Sequence, residues 1–426
     1  MSIARLCRAA LLVAASVITL PGAAQENPLA QPSRPAQPPA GEPVNPLVGV
    51  KPAAAPLPAW LKRGARVTYL SSSALVPGEA RVLVPDAKGD WVGPDGRRFA
   101  VGDARGTGSM SFDQYTVVAA DDRVVAADVK MFLLRDADPA GRCVVSTSRF
   151  VSGSPEGLLP IWTPPAKLAA MKEGEAAGVK VTKGPFPLNG KTYNAVTHET
   201  RTGRGFDRTT ADLDTGLVLV YQFSRTGGQS AVAGPGGVSR AGAGTTSVGT
   251  VTLAGLRQLD LPWPEDGFTN WAAGRTLEYR GVHQTFVPNT QPFEQAFAVS
   301  VGLGQPGQGW VPAKMTQRMA GLAGAAPMEQ ASDRAASPMT TSPYWIDPAA
   351  LAKLKPGQAV DADPVTRFTA KVAEAGGGRV VIVDEGQVDR TTSVYDTASG
   401  ALVAVTVEQR QEVGATRTQL RLDAAK

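Results

Sequence analysis

The sequence predicts a mainly β protein made of two tandem homologous antiparallel β-sheet units, each with one short docked helix. Three observations support this prediction: short runs rich in Val, Thr, Tyr and Phe, turn residues between those runs, and an internal repeat. A signal peptide and a Pro-rich disordered leader are expected before the two units. The chain has 426 residues, of which 46 are Gly and 34 are Pro.

Residues 1–24 have the pattern of a secretory signal peptide, with Arg5 and Arg8 before a 12-residue apolar run and small residues at its end. Cleavage is expected after Ala24. The apolar run is too short to span a bilayer, and no later segment approaches 18 consecutive apolar residues. We therefore expect a periplasmic or secreted protein with no transmembrane segment in the mature chain.

Residues 25–59 contain ten prolines. Such a segment cannot bury a core and samples the polyproline II conformation, so it predicts a disordered linker. Removal of residues 1–24 also removes two arginines and no acid, which lowers the net charge from +5 to +3. This small charge predicts no nucleic-acid partner. Cys143 is then the single cysteine of the mature chain, so a disulfide framework is excluded and a buried thiol is expected.

The internal repeat defines the two units. The pattern Trp-x-x-Pro-Ala-x-Leu-Ala of residues 162–169 recurs in residues 345–352, at an offset of 183, and each copy reaches a Gly at the same spacing. Asp-Arg-Thr-Thr of residues 207–210 recurs at 389–392, at an offset of 182. Gly64-x-x-Val-x-Tyr recurs from Gly274, at an offset of 210. These matches predict repeat 1 at 60–262 and repeat 2 at 263–426.

The change in offset locates an insertion. Its fall from 210 to 183 predicts about 27 additional residues in repeat 1, between the start of the unit and its helix. A Gly-rich insertion at 226–247, with seven glycines, predicts a hairpin loop near the end of repeat 1. Residues 321–343, rich in Ala, Met, Ser and Pro, predict a similar surface insertion in repeat 2.

Each repeated segment has a structural interpretation. Asp347 can cap a short helix that has Pro348 at its first position, with Leu351 and Leu354 on one face and Pro356-Gly357 as the stop. Trp162 and Trp345 are expected to anchor the two helices to their sheets. Asn189-Gly190 and Asp214-Thr215-Gly216 predict hairpin turns. Arg208 and Arg390 are expected to pair with carboxylates at the sheet surface.

Two glycine-rich segments resemble cofactor-binding motifs, but the residues within and around them do not fit those motifs. Gly302 to Gly307 matches G-x-G-x-x-G, but it contains a proline and is expected to lie in a loop between strands, where no helix follows. Gly184 to Thr192 has one residue too many for a phosphate-binding loop and contains two prolines, which lack the amides that cradle a phosphate. No cofactor is therefore predicted.

Candidate catalytic residues are few. His198 and Glu199 are neighbours on a predicted strand, so they should point to opposite faces. His283 has no evident nucleophilic partner. Asp212 with Asp214, and Asp361 with Asp363, are paired acids without the pattern of a calcium loop. Accordingly, no catalytic, cofactor-binding or metal-binding residue is assigned from the sequence, and the ligand-binding residues are unknown.

Three functions fit these observations. The missing motifs favour a protein that is not an enzyme: an exported β-repeat binding protein of a bacterial-type cell envelope, holding an apolar ligand or an envelope protein. The first alternative is a structural or assembly component of the envelope. The second alternative is a hydrolase whose carboxylates come together only in the fold.

Overall fold

The computed structural model describes residues 56–77, 81–86, 90–99, 108–121, 125–134, 143–153, 161–226, 231–234, 237–240, 245–263, 274–304, 310–319, 328–337, 339, 344–411 and 413–425. The predicted signal peptide (1–24) lies outside these ranges. So does the predicted leader (25–59), apart from its last four residues.

The first ten-stranded sheet forms within repeat 1, in the strand order β7-β6-β5-β1-β15-β12-β11-β10-β9-β8, with antiparallel neighbours throughout. Five further short strands and one helix belong to the same part of the chain. The elements are β1 (Ala65–Pro77), β2 (Val84–Pro85), β3 (Trp91–Val92), β4 (Arg98–Phe99), β5 (Gly108–Ala120), β6 (Val125–Leu134), β7 (Cys143–Gly153), α1 (Pro165–Ala170), β8 (Gly174–Ala176), β9 (Val179–Leu188), β10 (Lys191–Arg201), β11 (Gly205–Asp212), β12 (Val218–Thr226), β13 (Ala231–Gly234), β14 (Gly237–Arg240) and β15 (Thr245–Gln258).

The second ten-stranded sheet forms within repeat 2, in the order β19-β18-β17-β16-β25-β24-β23-β22-β21-β20. Its neighbours are also antiparallel. The elements are β16 (Thr276–Phe286), β17 (Phe293–Leu303), β18 (Val311–Met319), β19 (Met328–Ala336), α2 (Pro348–Leu351), β20 (Ala359–Ala362), β21 (Thr369–Gly376), β22 (Arg379–Glu385), β23 (Asp389–Asp396), β24 (Leu402–Gln411) and β25 (Gly414–Ala425).

The two sheets have the same topology, which confirms the tandem β units predicted from the repeat. When β2–β4 and β13–β14 are set aside, the strands of the first sheet match those of the second one by one, and the helix occupies the same position in each chain order. The extra elements are insertions. Thirty residues join β1 to β5, whereas six join β16 to β17. The hairpin β13–β14 lies within the predicted insertion 226–247.

A duplicated contact holds each helix start against a hairpin turn. In repeat 1, the Tyr69 hydroxyl donates to the Val218 carbonyl over 2.9 Å, and the Trp162 indole donates to the Thr215 carbonyl over 3.2 Å. Gly216 lies so close that an added Cβ would be 2.0 Å from the Thr163 carbonyl oxygen. We call this arrangement the turn clasp.

The turn clasp of repeat 2 uses the equivalent residues. Tyr279 donates to the Leu402 carbonyl over 3.1 Å, and Trp345 donates to the Ser399 carbonyl over 2.8 Å. A Cβ on Gly400 would be 2.2 Å from the Ile346 carbonyl oxygen. Trp162 and Trp345 are both 2% exposed, so the predicted role of the two tryptophans as anchors in the core is confirmed.

The hairpin turns are equivalent at an offset of 184 rather than 182. Asp212 accepts a hydrogen bond from the Thr215 hydroxyl, and Asp396 accepts one from the Ser399 hydroxyl. The backbone carbonyls of these two aspartates accept from the amides of the clasp glycines. The turn aspartate of repeat 1 is therefore Asp212, whereas the sequence match indicates Asp214. The repeated Asp-Arg-Thr-Thr motif is displaced by two residues between the sheets.

The helix prediction is confirmed at its start and wrong at its end. The Asp347 side chain accepts from the Ala349 amide, and Leu351 and Leu354 are buried. However, α2 ends at Leu351, and the chain goes on in tighter turns, in which the Leu354 amide donates to the Leu351 carbonyl.

The predicted insertion at 321–343 is wrong over β19, because these residues form a nine-residue edge strand of the second sheet.

The two sheets pack against each other along the part of the first sheet that runs from β15 through β1, β5 and β6 to β7. Phe132 of β6 contacts Phe368, which follows β20, with ring centroids 5.0 Å apart. Elsewhere in the interface, Phe150 of β7 contacts Trp310, with centroids 5.1 Å apart. The edge strands β7 and β19 lie side by side, and Arg334 of β19 donates to the Ser148 carbonyl of β7. Among the described residues, no helix has the length and apolar character needed to cross a membrane.

Candidate functional site

The acids predicted as a pair at 361 and 363 lie between the two sheets. Arg66 of β1 contacts Asp361 with a nitrogen–oxygen distance of 2.6 Å. Arg257 of β15 contacts Asp361 at 2.7 Å and Asp363 at 3.2 Å. The amide of Gln114 donates to Asp363 over 2.9 Å. We call these five residues the inter-sheet ion cluster, and it joins residues almost 300 positions apart in the chain.

The ion cluster keeps the Asp363 carboxylate charged. Burial opposes ionisation of Asp363, but hydrogen bonds from the Thr366 and Val365 amides and the charges of the two arginines outweigh it, so the pKa of Asp363 is lowered. A general acid needs a raised pKa near the working pH. The ionised Asp363 carboxylate, bound by Arg257 and Gln114, is therefore suited to joining the sheets rather than to moving a proton.

The other predicted acid pair does not form a site. Asp212 belongs to the hairpin turn described above, and Asp214 is exposed and accepts from the Asn194 side chain over 3.3 Å. Their side chains thus serve separate local contacts.

The two histidines lie in different sheets. His198 of β10 is buried, and this burial lowers its pKa to about 4, which keeps the ring neutral. His283 of β16 shares a hydrogen bond of 2.9 Å with the Thr418 hydroxyl. Its pKa is also lowered by burial. In the part of the chain that the structure describes, neither ring is hydrogen-bonded to a Ser or Cys that could act as a nucleophile.

Glu199 points away from its neighbour His198, as the strand predicts. Arg208 donates to Glu199 over 2.7 Å and Arg201 approaches it at 2.6 Å. Burial opposes ionisation of Glu199, but these two hydrogen bonds outweigh it and lower its pKa. The predicted ion pair of Arg208 is confirmed, whereas Arg390 is exposed and has no carboxylate within ion-pair distance in the described ranges.

Cys143 is a buried thiol, as expected. It is 4% exposed, and its sulfur donates to the Thr366 carbonyl over 3.2 Å. Burial raises the pKa of this thiol to about 11, so the thiolate that acts as a nucleophile is scarce at neutral pH. Over the residues that the structure describes, no group of three or more His, Cys, Asp or Glu side chains is arranged to hold a metal ion.

The insertion between β1 and β5 forms a surface feature that repeat 2 lacks. Leu83 and Trp91 of this insertion are fully buried against Ala74, Val248 and Phe206 of the first sheet. The Leu83 amide donates to the Ser224 hydroxyl over 3.1 Å, and Thr246 donates to the Arg81 carbonyl over 3.0 Å. These contacts attach the small sheet β2–β4 to one face of the large one.

A cleft of about 590 Å³ lies between this small sheet and the turn that joins β10 to β11. This volume is within the range of small-molecule sites, about 300–1,000 Å³. We call it the insert cleft. Half of its described lining residues are Val or Pro, and three are charged. The lining residues are Val82, Val84, Pro85, Asp86, Val92, Gly93, Pro94, Arg98, Arg201 and Thr202.

Sequence reasoning located the insertion and missed the cleft. The offset change placed the additional residues in repeat 1, and that signal could have marked the segment as the part of the chain without a counterpart. The other wall of the cleft comes from Arg201 and Thr202, more than a hundred residues later. Their approach depends on the strand order of the sheet, which the sequence did not reveal.

Comparison with known proteins identifies no family. No family model and no curated protein match the chain. A DUF3598-family protein of unknown function from Nostoc punctiforme is 10% identical, with a TM-score of 0.13, over 83% of this chain and 95% of that one. A provisionally named AttH protein from Nitrosomonas europaea is 11% identical, with a TM-score of 0.13, over 84% and 92% of the two chains. The LG1-3 region of the laminin α2 chain is 9% identical, with a TM-score of 0.09, over 85% and 58%. Neither fold nor function is inferred from similarity this low.

Proposed function

We propose that the protein is an exported, non-enzymatic binding protein of the cell envelope, and that the insert cleft holds a ligand with an apolar body. The observation that supports this proposal is the difference between the two repeats. Each sheet has its own turn clasp and helix, so these shared parts serve the fold. The insertion that builds the cleft occurs in repeat 1 alone, and its strands have only two residues each.

The cleft has the composition of a binding site for an apolar body. Five of its ten described lining residues are Val or Pro, and a few polar groups lie among them. Sites for small molecules combine an apolar wall with a small number of polar groups that orient the ligand.

The proposal that the protein is exported rests on the signal peptide predicted at 1–24. Cell fractionation with an antibody to the mature chain tests it.

Binding is tested on the mature chain, residues 25–426, with a panel of aliphatic ligands. A ligand at a concentration of about 100 times its Kd should stabilise the folded state by about 2.7 kcal/mol, and the melting temperature of the protein should rise accordingly. A Val84→Asp variant, which places a charge on the cleft wall, should lose this rise. A Val413→Asp variant controls for the added charge alone, because Val413 is 65% exposed on a turn of the other sheet.

A second variant removes the cleft by using a turn from the protein's own second repeat. Residues 78–107 are replaced by residues 287–292, the turn that performs the same connection in repeat 2. We expect this variant to fold and to lose ligand stabilisation. If the replacement and Val84→Asp both keep the wild-type stabilisation, the cleft is not the site. If no ligand of the panel stabilises the wild type but cross-linking in cells captures a stable protein partner, the assembly role is favoured.

A further inference from the structure

The charged residues of the insert cleft indicate which apolar ligand it takes. Arg98 and Arg201 both line the cleft, and their side chains are 58% and 59% exposed. Arg201 binds Glu199 through Nε and one terminal nitrogen, which leaves its other terminal nitrogen for a ligand. Asp86 is the one acid among the described lining residues, and its carboxylate is 3.3 Å from Arg98. These described residues therefore carry one more positive than negative charge.

The turn from β10 to β11 places further arginines next to Arg201. Arg201 shares its partner Glu199 with Arg208, so one carboxylate serves two guanidinium groups. Arg204 lies in the same turn, is exposed, and has no carboxylate within ion-pair distance among the described residues. The lining arginines Arg98 and Arg201, together with Arg208 beside Arg201, thus share two carboxylates, Asp86 and Glu199.

A carboxylate is the group that this arrangement would bind. An arginine guanidinium presents planar N–H groups that match the two oxygens of a carboxylate, and such charge-assisted hydrogen bonds are stronger than neutral ones. Asp86 is half-buried, but Arg98 is exposed and lies 3.3 Å from it, so a ligand can share the open side of Arg98. A cationic head group would instead meet the surplus positive charge.

We propose that the insert cleft binds a single-chain aliphatic carboxylate, with the chain along Val82, Val84 and Val92 and the carboxylate at Arg98 and Arg201. This inference rests on the function proposed above, and it adds the identity of the head group. The volume of the cleft suits a molecule of this kind, since the chain can use the aliphatic wall while the head group stays at the charged end.

The test compares three ligands with ten-carbon chains, decanoate, decanol and decyltrimethylammonium, each below its critical micelle concentration. Dissociation constants are measured by isothermal titration with the mature chain at low and at high salt. Decanoate should bind about tenfold more tightly than decanol at low salt, because it gains charge-assisted hydrogen bonds, and decyltrimethylammonium should bind most weakly. High salt should reduce the advantage of decanoate, since both arginines are exposed.

An Arg98→Gln, Arg201→Gln double variant should bind decanoate and decanol equally. Arg379→Gln is the matched control, because Arg379 is 61% exposed and pairs with Glu374 in the other sheet. It should retain the preference for decanoate. Equal binding of decanoate and decanol to the wild type overturns the carboxylate inference and leaves the proposed cleft function standing. Failure of all three ligands to bind counts against the cleft function itself.

Discussion

Replacing Gly400 by alanine should destabilise the protein far more than the same change at Gly357. Both glycines have a positive φ, +77° at Gly400 and +81° at Gly357, so alanine meets the same backbone penalty at each position. They differ in the space around them. An added Cβ at Gly357 has no atom within 4 Å, whereas at Gly400 it would be 2.2 Å from the Ile346 carbonyl oxygen and 2.7 Å from the Trp345 indole nitrogen.

The expected magnitudes follow from these two terms. The left-handed conformation costs an alanine about 1–2 kcal/mol, and this is the whole loss expected for Gly357→Ala. Forcing a methyl group into a filled core costs a further ~1–3 kcal/mol, so Gly400→Ala should lose about 2–5 kcal/mol of unfolding free energy. The methyl group would also push Trp345 away from the Ser399 carbonyl that it bonds in the turn clasp.

Urea unfolding followed by far-ultraviolet circular dichroism measures both losses. The same comparison can be repeated in repeat 1 with Gly216→Ala and with Gly190→Ala, a positive-φ glycine in open space. If Gly400→Ala is no more destabilising than Gly357→Ala, the turn clasp does not constrain the hairpin. If only one repeat shows the difference, the two turn clasps are not equivalent.

Three further predictions concern buried groups. The pKa of Asp363 is lowered in the fold, so its ionised carboxylate should stabilise the folded protein fully above the unfolded-state pKa of about 3.9. This stabilisation should be lost as the pH falls through the lower pKa of the folded state. Asp363→Asn should flatten this part of the curve of unfolding free energy against pH. Cys143 should react with iodoacetamide only after unfolding, as mass spectrometry of native and urea-treated protein can show; fast labelling of the native chain would contradict its burial. Trp91→Ala should cost about 3–5 kcal/mol in urea unfolding, and Trp91→Phe much less, because the buried Trp91 indole nitrogen has no hydrogen-bond partner among the described residues; equal losses would argue against this view.

The sequence predicted those parts of the fold that depend on local chemistry. Asp347 caps α2 because an aspartate before a proline can accept from the amide two residues on. Asn189 and Gly190 form the turn between β9 and β10 because both residues tolerate the positive φ that they adopt. The repeat of Trp162 as Trp345 predicted two similar units, and the two sheets have the same strand order.

The parts that sequence reasoning missed depend on distant partners. Asp361 and Asp363 were recognised as a pair, but their arginine partners come from β1 and β15 in the other repeat, and no local pattern connects them. The shift of the Asp-Arg-Thr-Thr motif arose because strand register is set by hydrogen bonding between strands, so identical residues can occupy different positions. The wall of the insert cleft at Arg201 depends on the same long-range pairing.

The side-by-side position of β7 and β19 has a consequence for each repeat taken alone. The outermost strand of a sheet offers free backbone groups to any other strand, which makes it a starting point for aggregation. Here the long terminal strand of one repeat shields that of the other, and the remaining sheet ends, β8 and β20, have only three and four residues. One repeat on its own would leave such a strand unprotected unless two molecules associated through it. Cutting the present chain between its repeats should recreate that situation, so each fragment should self-associate or precipitate when produced by itself.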